Sequence, residues 1–236
     1  MSVGKRPKVS VLMITYNHER FVEQAVRSVM MQKANFDWEL VIGEDCSTDR
    51  TREIIERLVE EFSSGRIRLL ANEQNLGVGA NFRRTYEACR GEYVAFLEGD
   101  DYWTAEEKLQ LQADFLDAHP DVSLCFHPMM KYSEAEQRIL GIGMAGKPGR
   151  QFYDFTDVLN QVVHPHISTM MVRKKSLNLP ATIDSIVNVD TALHFFCAER
   201  GRLGYIDRPM SVYRQQEGSV WFGGDKIWKI QSHIFC

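Results

Sequence analysis

The segment Tyr93-Val94-Ala95-Phe96-Leu97-Glu98-Gly99-Asp100-Asp101 joins a run of five apolar residues to three carboxylates. The apolar run is typical of a buried strand. Carboxylates this close repel one another, so a positive group is expected among them. Mg²⁺ and Mn²⁺ fit best, because they take oxygen ligands and share their coordination among one or two carboxylates, water and substrate phosphates. The segment therefore indicates a metal site for a phosphate-bearing substrate or, alternatively, an acidic loop that caps the next helix through Thr104 and Glu107.

Short apolar runs and amphipathic stretches alternate before this segment. Strands are predicted at 9–14, 40–42 and 67–70, and helices with one apolar face at 21–30 and 54–62. The predicted helix N-caps are Asn17 for the first helix and Ser47, Thr48 or Asp49 for the second. Alternating strands and helices favour an α/β fold with a Rossmann-like, mainly parallel sheet, whose ligand crevice lies at the carboxyl ends of the strands.

Polar residues follow the end of each predicted strand. The residues expected to line a nucleotide crevice there are Thr15, Tyr16, Asn17, Glu44, Asp45, Asn75, Gly77 and Glu98. Asp45 can accept the imide N–H of a uracil, and Tyr16 can offer a ring face to the base. Each residue also has an ordinary reading as a strand end, cap or turn, but the meeting of four such segments at one sheet edge favours a binding site.

The ordered motifs 9–17 (VSVLMITYN), 43–49 (GEDCSTD), 75–77 (NLG) and 91–101 (GEYVAFLEGDD) closely resemble the family 2 glycosyltransferases of GT-A fold. The resemblance implies transfer of a sugar from a nucleotide-diphosphate donor with inversion, assisted by Mn²⁺ or Mg²⁺. By position, Tyr16 and Asp45 would contact the base, and Asp100 would be the main metal ligand. Glu98 stands where the family usually has an Asp, and the resemblance implies that it contacts the ribose or the metal. Asp101 is either a further metal ligand or a helix-entry residue.

The second half has weaker patterns. Strands are predicted at 122–130 and 167–173, a short helix at 156–162, and a final strand region at 203–213. We expect one domain over 1–236, with a nucleotide-sugar-binding half (8–103), an acceptor-side half (104–220) and a C-terminal tail (221–236). Asp190 precedes an apolar helical pattern, where an N-cap is the ordinary reading and the resemblance implies the catalytic base.

Two polar motifs of the second half bear on the metal and the diphosphate. The segment 213–219 (YRQQEGS) resembles a family segment in which a histidine is common at the place of Gln216, which leaves Arg214 as a diphosphate partner. His164-Pro165-His166 has a spacing that puts both rings on one side of an extended strand, as in some metal sites. With no carboxylate or cysteine beside it in the sequence, a structural role is favoured, with acceptor contact as the alternative.

Composition excludes several classes of protein. The net charge of −4 and pI near 6.0 argue against a nucleic-acid partner. Five cysteines without CxxC spacing indicate reduced thiols, a cytoplasmic location and no zinc site. The apolar run at 9–14 is too short to span a bilayer, so no transmembrane segment is expected, while the amphiphilic stretch 221–235 leaves peripheral membrane association open.

The leading hypothesis is a transferase that uses a UDP-sugar and a saccharide or lipid-linked saccharide acceptor. A nucleotidyltransferase acting on a sugar phosphate is a second hypothesis, but it predicts a glycine-rich basic loop where this chain has Thr15-Tyr16-Asn17-His18. A catalytically silent nucleotide-sugar-binding scaffold is the third, and Asp190 argues against it.

Overall fold

The apolar runs of the first hundred residues form four neighbouring parallel strands: β1 (Val9–Thr15), β2 (Trp38–Glu44), β3 (Ile67–Ala71) and β4 (Tyr93–Glu98). The connecting helices are α1 (Val22–Met30), α2 (Thr51–Phe62) and α3 (Val78–Ala88). These positions come from a computed structural model that describes residues 6–143, 146–147, 149–186 and 188–216. The predicted α/β fold with a mainly parallel sheet is confirmed.

The second half extends this sheet and adds a smaller one. Its strands are β5 (Tyr102–Trp103), β6 (Val122–Phe126), β7 (Met129–Ser133), β8 (Arg138–Gly143), β9 (Phe152–Tyr153), β10 (Met171–Arg173), β11 (Arg202–Tyr205) and β12 (Ser211–Gln215). Its helices are α4 (Lys108–Ala118), α5 (Phe155–Leu159) and α6 (Val189–Ala198), with 3₁₀ turns at Ile167–Thr169, Lys174–Ser176 and Ala181–Ser185. The strand orders are β3-β2-β1-β4-β10-β6-β11-β9 in the large sheet and β5-β12-β7-β8 in the small one.

The large sheet is covered on both faces. Along β1, Val11 and Met13 join one buried hydrophobic cluster, and Leu12 and Ile14 join the other. Successive side chains of a strand point to opposite faces, so a strand buried on both sides needs an almost continuous apolar run. This requirement is why β1, β2 and β4 could be recognised from the sequence, whereas β3 lies at the sheet edge and is mostly half-buried.

Four predicted elements of the second half are wrong in extent. The strand expected at 122–130 is two strands in different sheets, because Pro128 between them has no N–H to donate to a ladder. The region 203–213 is likewise divided between β11 and β12, with Pro209 in the connection. At 167–173 the chain begins with a 3₁₀ turn, and only 171–173 is a strand. The short helix predicted at 156–162 runs from Phe155 to Leu159.

Several predicted caps are also wrong. Helix α1 begins at Val22, and the Asn17 side chain instead accepts a hydrogen bond from the backbone N–H of Thr48 at 2.8 Å. Asp49 does bond the first turn of α2, through the N–H of Thr51 at 2.9 Å. No Thr104–Glu107 capping box forms at the start of α4, where the cap position has no side-chain hydrogen bond.

Among the described residues, no helix has both the length and the apolar character needed to cross a membrane. The predicted tail 221–236 and residues 217–219 of the polar segment 213–219 lie outside the described residues.

Candidate active site

The end of β1 touches the turn that carries the acidic residues. The N–H of Gly99 donates to the carbonyl of Ile14 at 3.0 Å. A Cβ at position 99 would lie 2.4 Å from the Oγ1 of Thr15, closer than real Cβ contacts come. Glycine therefore allows the acidic turn to pack against Thr15, whose hydroxyl also contacts His18 Nδ1 at 3.1 Å.

Asp45 follows β2 and organises the loop after β3. Its carboxylate accepts hydrogen bonds from the Asn72 side chain at 2.7 Å, the Leu76 N–H at 2.8 Å and the Gly77 N–H at 2.9 Å. Gly77 has φ +82°, a conformation that favours glycine. Asn75 joins the same network through the carbonyl of Asp45 at 3.2 Å. The predicted residues Asp45, Asn75 and Gly77 are thus brought together.

The neighbouring predicted residues differ in exposure. Tyr16 is 42% exposed, so its ring is open to a ligand. Asn17 is exposed, with φ +56°, next to it. Glu44 is fully buried: one carboxylate oxygen accepts from the Ser47 N–H at 2.7 Å, and the other has no hydrogen-bond partner among the described residues.

The acidic turn is buried and crowded with like charges. Burial, followed by the charge of Asp100, raises the pKa of both Glu98 and Asp101 well above the ordinary range. Asp101 is 1% exposed, and its Oδ2 has no hydrogen-bond partner in the described part of the chain. Asp100 accepts a hydrogen bond from the Gln216 side chain at 2.9 Å and lies 3.9 Å from His18 Nε2. Three adjacent acidic groups with an unpaired buried oxygen are a donor set suited to a hard divalent cation.

Asp190 lies near this cluster, although it is far from the acidic turn in the sequence. It lies in the first turn of α6, half-buried, with Asn188 at the N-cap position, so the alternative interpretation of Asp190 as the N-cap is wrong. Its Oδ1 accepts from the N–H of Thr191 at 2.7 Å. After burial and the charges of Asp100 and Asp101, the charge of Asp190 is a further cause of the raised pKa of Glu98. The sequence-predicted base and metal residues therefore share one electrostatic environment.

The nearest acidic residues on either side of Asp190 in the sequence, Asp184 and Glu199, are placed differently. Asp184 forms a two-point ion pair with Arg83, with both N–O distances at 2.6 Å. Glu199 is exposed just beyond the end of α6.

Arg214 has a different environment from the one expected for a diphosphate partner. It is 5% exposed; its Nε donates to the Asp100 carbonyl at 2.8 Å and its other nitrogens bond Glu134 and Gln24. Its backbone N–H also donates to Asp101 at 2.9 Å. All three guanidinium nitrogens are engaged, so in this structure Arg214 holds the acidic turn in place. The sequence could not indicate this role, because it depends on the pairing of β12 with β5.

Two further side chains face the cluster without having been predicted there. Nδ1 of His166 lies 3.7 Å from the unpaired Oδ2 of Asp101, and its ring packs 4.6 Å from the ring of Tyr213. Burial, then the charges of Asp101, Glu98, Asp100 and Asp190, raise the pKa of Tyr213. Sequence spacing favours a structural role for His166, because it does not show the carboxylates that the fold brings to this residue. His164 instead packs against His194, with ring centres 5.2 Å apart.

A large groove of about 1090 Å³ lies at the opposite end of the sheet, where the parallel strands begin. Three of the basic residues that line it have partners: Lys8 pairs with Asp117, Lys174 bonds the carbonyl of Cys89, and Arg66 stacks on the Trp38 ring. The groove lacks the polar loop ends found at the carboxyl edge, so we assign the candidate active site to the carboxyl edge.

Solved structures share this fold. A structure of Staphylococcus aureus TarS in complex with UDP-GlcNAc matches with a TM-score of 0.69 at 20% identity, covering 92% of this chain and 61% of TarS. The mannosyltransferase PcManGT from Pyrobaculum calidifontis, in complex with GDP-Man and Mn²⁺, matches with a TM-score of 0.68 at 16% identity, covering 98% of this chain and 63% of PcManGT. At these identities the similarity establishes the fold alone.

The sequence comparisons agree with the fold. An uncharacterized protein of Mycobacterium tuberculosis is 31% identical over 233 residues, which is 95% of this chain and 65% of the mycobacterial protein. This chain thus spans less than two thirds of that relative. The model of the family described as Glycosyl transferase family 2 matches residues 10–179. The chain therefore belongs to glycosyl transferase family 2.

Proposed function

We propose that this chain transfers a sugar from a nucleotide-diphosphate donor to an acceptor hydroxyl, with inversion and with a divalent cation. The supporting observation is that Glu98 and Asp101 hold ligand atoms within 4.8 Å of one another, and that Asp190 lies near enough for its charge to contribute to the raised pKa of Glu98, so that the proposed cation site and the proposed base are close together. The loop organised by Asp45 lies at the same sheet edge. Family membership supports the reaction class.

The residues at the acidic turn fit Mn²⁺ or Mg²⁺. The pKa values of Glu98 and Asp101 are raised, because burial and then the negative charge of Asp100 disfavour their ionisation. The residues that would hold the cation are Asp100, Glu98 and Asp101. A bound cation would offset the negative charge that develops on the departing diphosphate.

Asp190 is the proposed general base. A carboxylate is a much weaker base than an alkoxide, so its main task is to orient the acceptor hydroxyl and to take the proton as the new bond forms. Attack from the side opposite the diphosphate in a single displacement inverts the anomeric configuration. The 2.7 Å bond from Thr191 to Oδ1 leaves Oδ2 of Asp190 for this contact.

Asp45 supports a preference for a uracil base. Its two oxygens already accept three hydrogen bonds, and an ionised carboxylate has about four acceptor positions. One position remains for a ring N–H such as the imide of uracil, which thymine and guanine also offer and adenine does not. The exposed ring of Tyr16 can cover the base. We therefore propose a UDP-sugar as donor and a saccharide or lipid-linked saccharide as acceptor.

Release of nucleotide diphosphate from a panel of UDP-, dTDP-, GDP- and ADP-sugars, with Mn²⁺ or with chelator, tests this proposal without a known acceptor. We expect metal-dependent cleavage that is fastest with a UDP-sugar and is lost in Asp100→Asn. The matched control is Asp114→Asn, an exposed position on α4. Cleavage that persists in excess chelator would contradict the role of the cation. Tight UDP binding without cleavage of any donor, even with saccharide acceptors added, would instead indicate a binding scaffold.

A further inference from the structure

The placement of His166 follows from the direction of one short strand. β10 is antiparallel to β4, with Met171 opposite Ala95 and the Phe96 N–H bonded to the Met170 carbonyl at 3.2 Å. Residues that precede β10 therefore run toward the carboxyl end of β4, where the acidic turn begins. This pairing brings the His166 ring to a carboxylate 65 positions away in the sequence.

The three side chains at this point lie close enough to share one ion. Glu98, Asp101 and His166 each offer a ligand atom, and these atoms all lie within 4.8 Å of one another. Ligand atoms on one ion of this size are typically about 3 Å apart. The 3.7 Å separation of Asp101 Oδ2 and His166 Nδ1 is too long for a hydrogen bond and close to a ligand-to-ligand spacing.

An independent feature also points to a ligand. Asp101 Oδ2 is buried in a residue that is 1% exposed, it faces His166, and it has no hydrogen-bond partner within the described residues. A buried oxygen left unpaired costs free energy unless a ligand or water satisfies it. The His166 side chain is 17% exposed, so an ion can reach this position from the crevice.

We propose that Glu98, Asp101 and His166 form a mixed oxygen and nitrogen site that binds Mn²⁺ in preference to Mg²⁺ before any nucleotide is present. An imidazole nitrogen suits Mn²⁺ and later transition metals better than Mg²⁺, which favours oxygen and retains its water. The Asp100 carboxylate accepts a hydrogen bond from Gln216 and lies beside His18. It is therefore left to interact with the ion from the side of the turn where the nucleotide would bind. The use of this ion in sugar transfer rests on the proposed function, whereas its binding at these three residues does not.

Binding at Nδ1 would replace two present contacts of that nitrogen, one with the Ser168 hydroxyl at 2.9 Å and one with the Ser168 backbone N–H, which donates to it at 3.4 Å. Ser168 is fully buried, so its polar groups need other partners when the ion is bound. The ring of His166 keeps its packing against Tyr213 in either arrangement.

Pulsed electron paramagnetic resonance with Mn²⁺ alone tests the proposal directly. In the unmodified protein we expect nitrogen hyperfine coupling to the bound Mn²⁺ and weaker binding of Mg²⁺ in competition. In His166→Asn we expect the coupling to disappear and Mn²⁺ affinity to fall by about tenfold or more, with Mg²⁺ binding nearly unchanged. The matched control is His164→Asn, because His164 lies two residues away and packs against His194.

Mn²⁺ bound without nitrogen coupling in the unmodified protein, or with unchanged coupling in His166→Asn, would overturn the proposal. The first result requires no variant, so it can overturn the proposal even if His166→Asn fails to fold. Donor cleavage is measured separately. If Mn²⁺ is nitrogen-coupled but the protein cleaves no nucleotide sugar, the inference stands and the proposed function is contradicted. If the protein cleaves a nucleotide sugar but the Mn²⁺ has no nitrogen coupling, the proposed function stands and the inference is contradicted.

Discussion

Replacement of Asp190 by asparagine separates catalysis from folding. Asparagine keeps the oxygen that accepts the 2.7 Å bond from Thr191, and the N-cap position of α6 is Asn188 rather than residue 190. The change also removes one of the charges that raise the pKa of Glu98. We therefore expect the free energy of unfolding to stay within about 0.5 kcal/mol of the unmodified value, or to rise.

The catalytic effect of Asp190→Asn should be much larger. A general base contributes about 10²–10⁴-fold to rate, which corresponds to about 2.7–5.4 kcal/mol at 1.36 kcal/mol per tenfold. The assay is release of nucleotide diphosphate from the best donor, with UDP·Mn²⁺ binding measured by calorimetry to show that the donor site is intact. Glu199→Gln, at the other end of the same helix, is the control and should keep its rate. Near-normal turnover in Asp190→Asn would refute the assignment of the base.

Three further predictions concern the framework of the site. Gly99→Ala should abolish Mn²⁺-dependent UDP binding in calorimetry, because the new Cβ would lie 2.4 Å from Thr15 Oγ1; unchanged binding would show that the close packing is dispensable. Arg214→Met should lower the free energy of unfolding by about 3–5 kcal/mol in urea titration, because it leaves Glu134 without its buried partner; a loss below about 1 kcal/mol would place this pair with weak surface pairs. Burial opposes ionisation of Glu39, but hydrogen bonds from Arg90, Ser10 and Arg68 outweigh it and lower its pKa. This stabilisation is present above the ordinary glutamate pKa and is lost as pH falls through the lowered value; Glu39→Gln should cost about 1–3 kcal/mol at pH 7, and a cost that does not shrink in acid would contradict this explanation.

The first half of the fold could be predicted because its signals are local. Strands such as β1 are buried on both faces and read as continuous apolar runs, and the polar residues after them must meet at one edge of a parallel sheet. In the second half, β5 has two residues and β10 has three. Strands this short carry no periodic pattern, and their partners are chosen by long-range pairing that a single sequence does not display.

The same distinction explains the site. Asp45, Asp100 and Asp190 could be named from local motifs together with the family resemblance. The positions of His166 and Arg214 depend on β10 pairing with β4 and on β12 pairing with β5. The sequence shows His166 without a neighbouring carboxylate and Arg214 beside a polar segment, and only the fold brings both to Asp101.

The most direct test of the central claim is a crystal structure of the protein with UDP and Mn²⁺, in which anomalous scattering locates the manganese. We predict one manganese peak at coordination distance from carboxylates of the Glu98–Asp101 turn and from the diphosphate, with the uracil between Asp45 and Tyr16. A nucleotide bound in the groove lined by Lys8 and Lys174 at the opposite end of the sheet, or manganese without contact to the acidic turn, would contradict the claim.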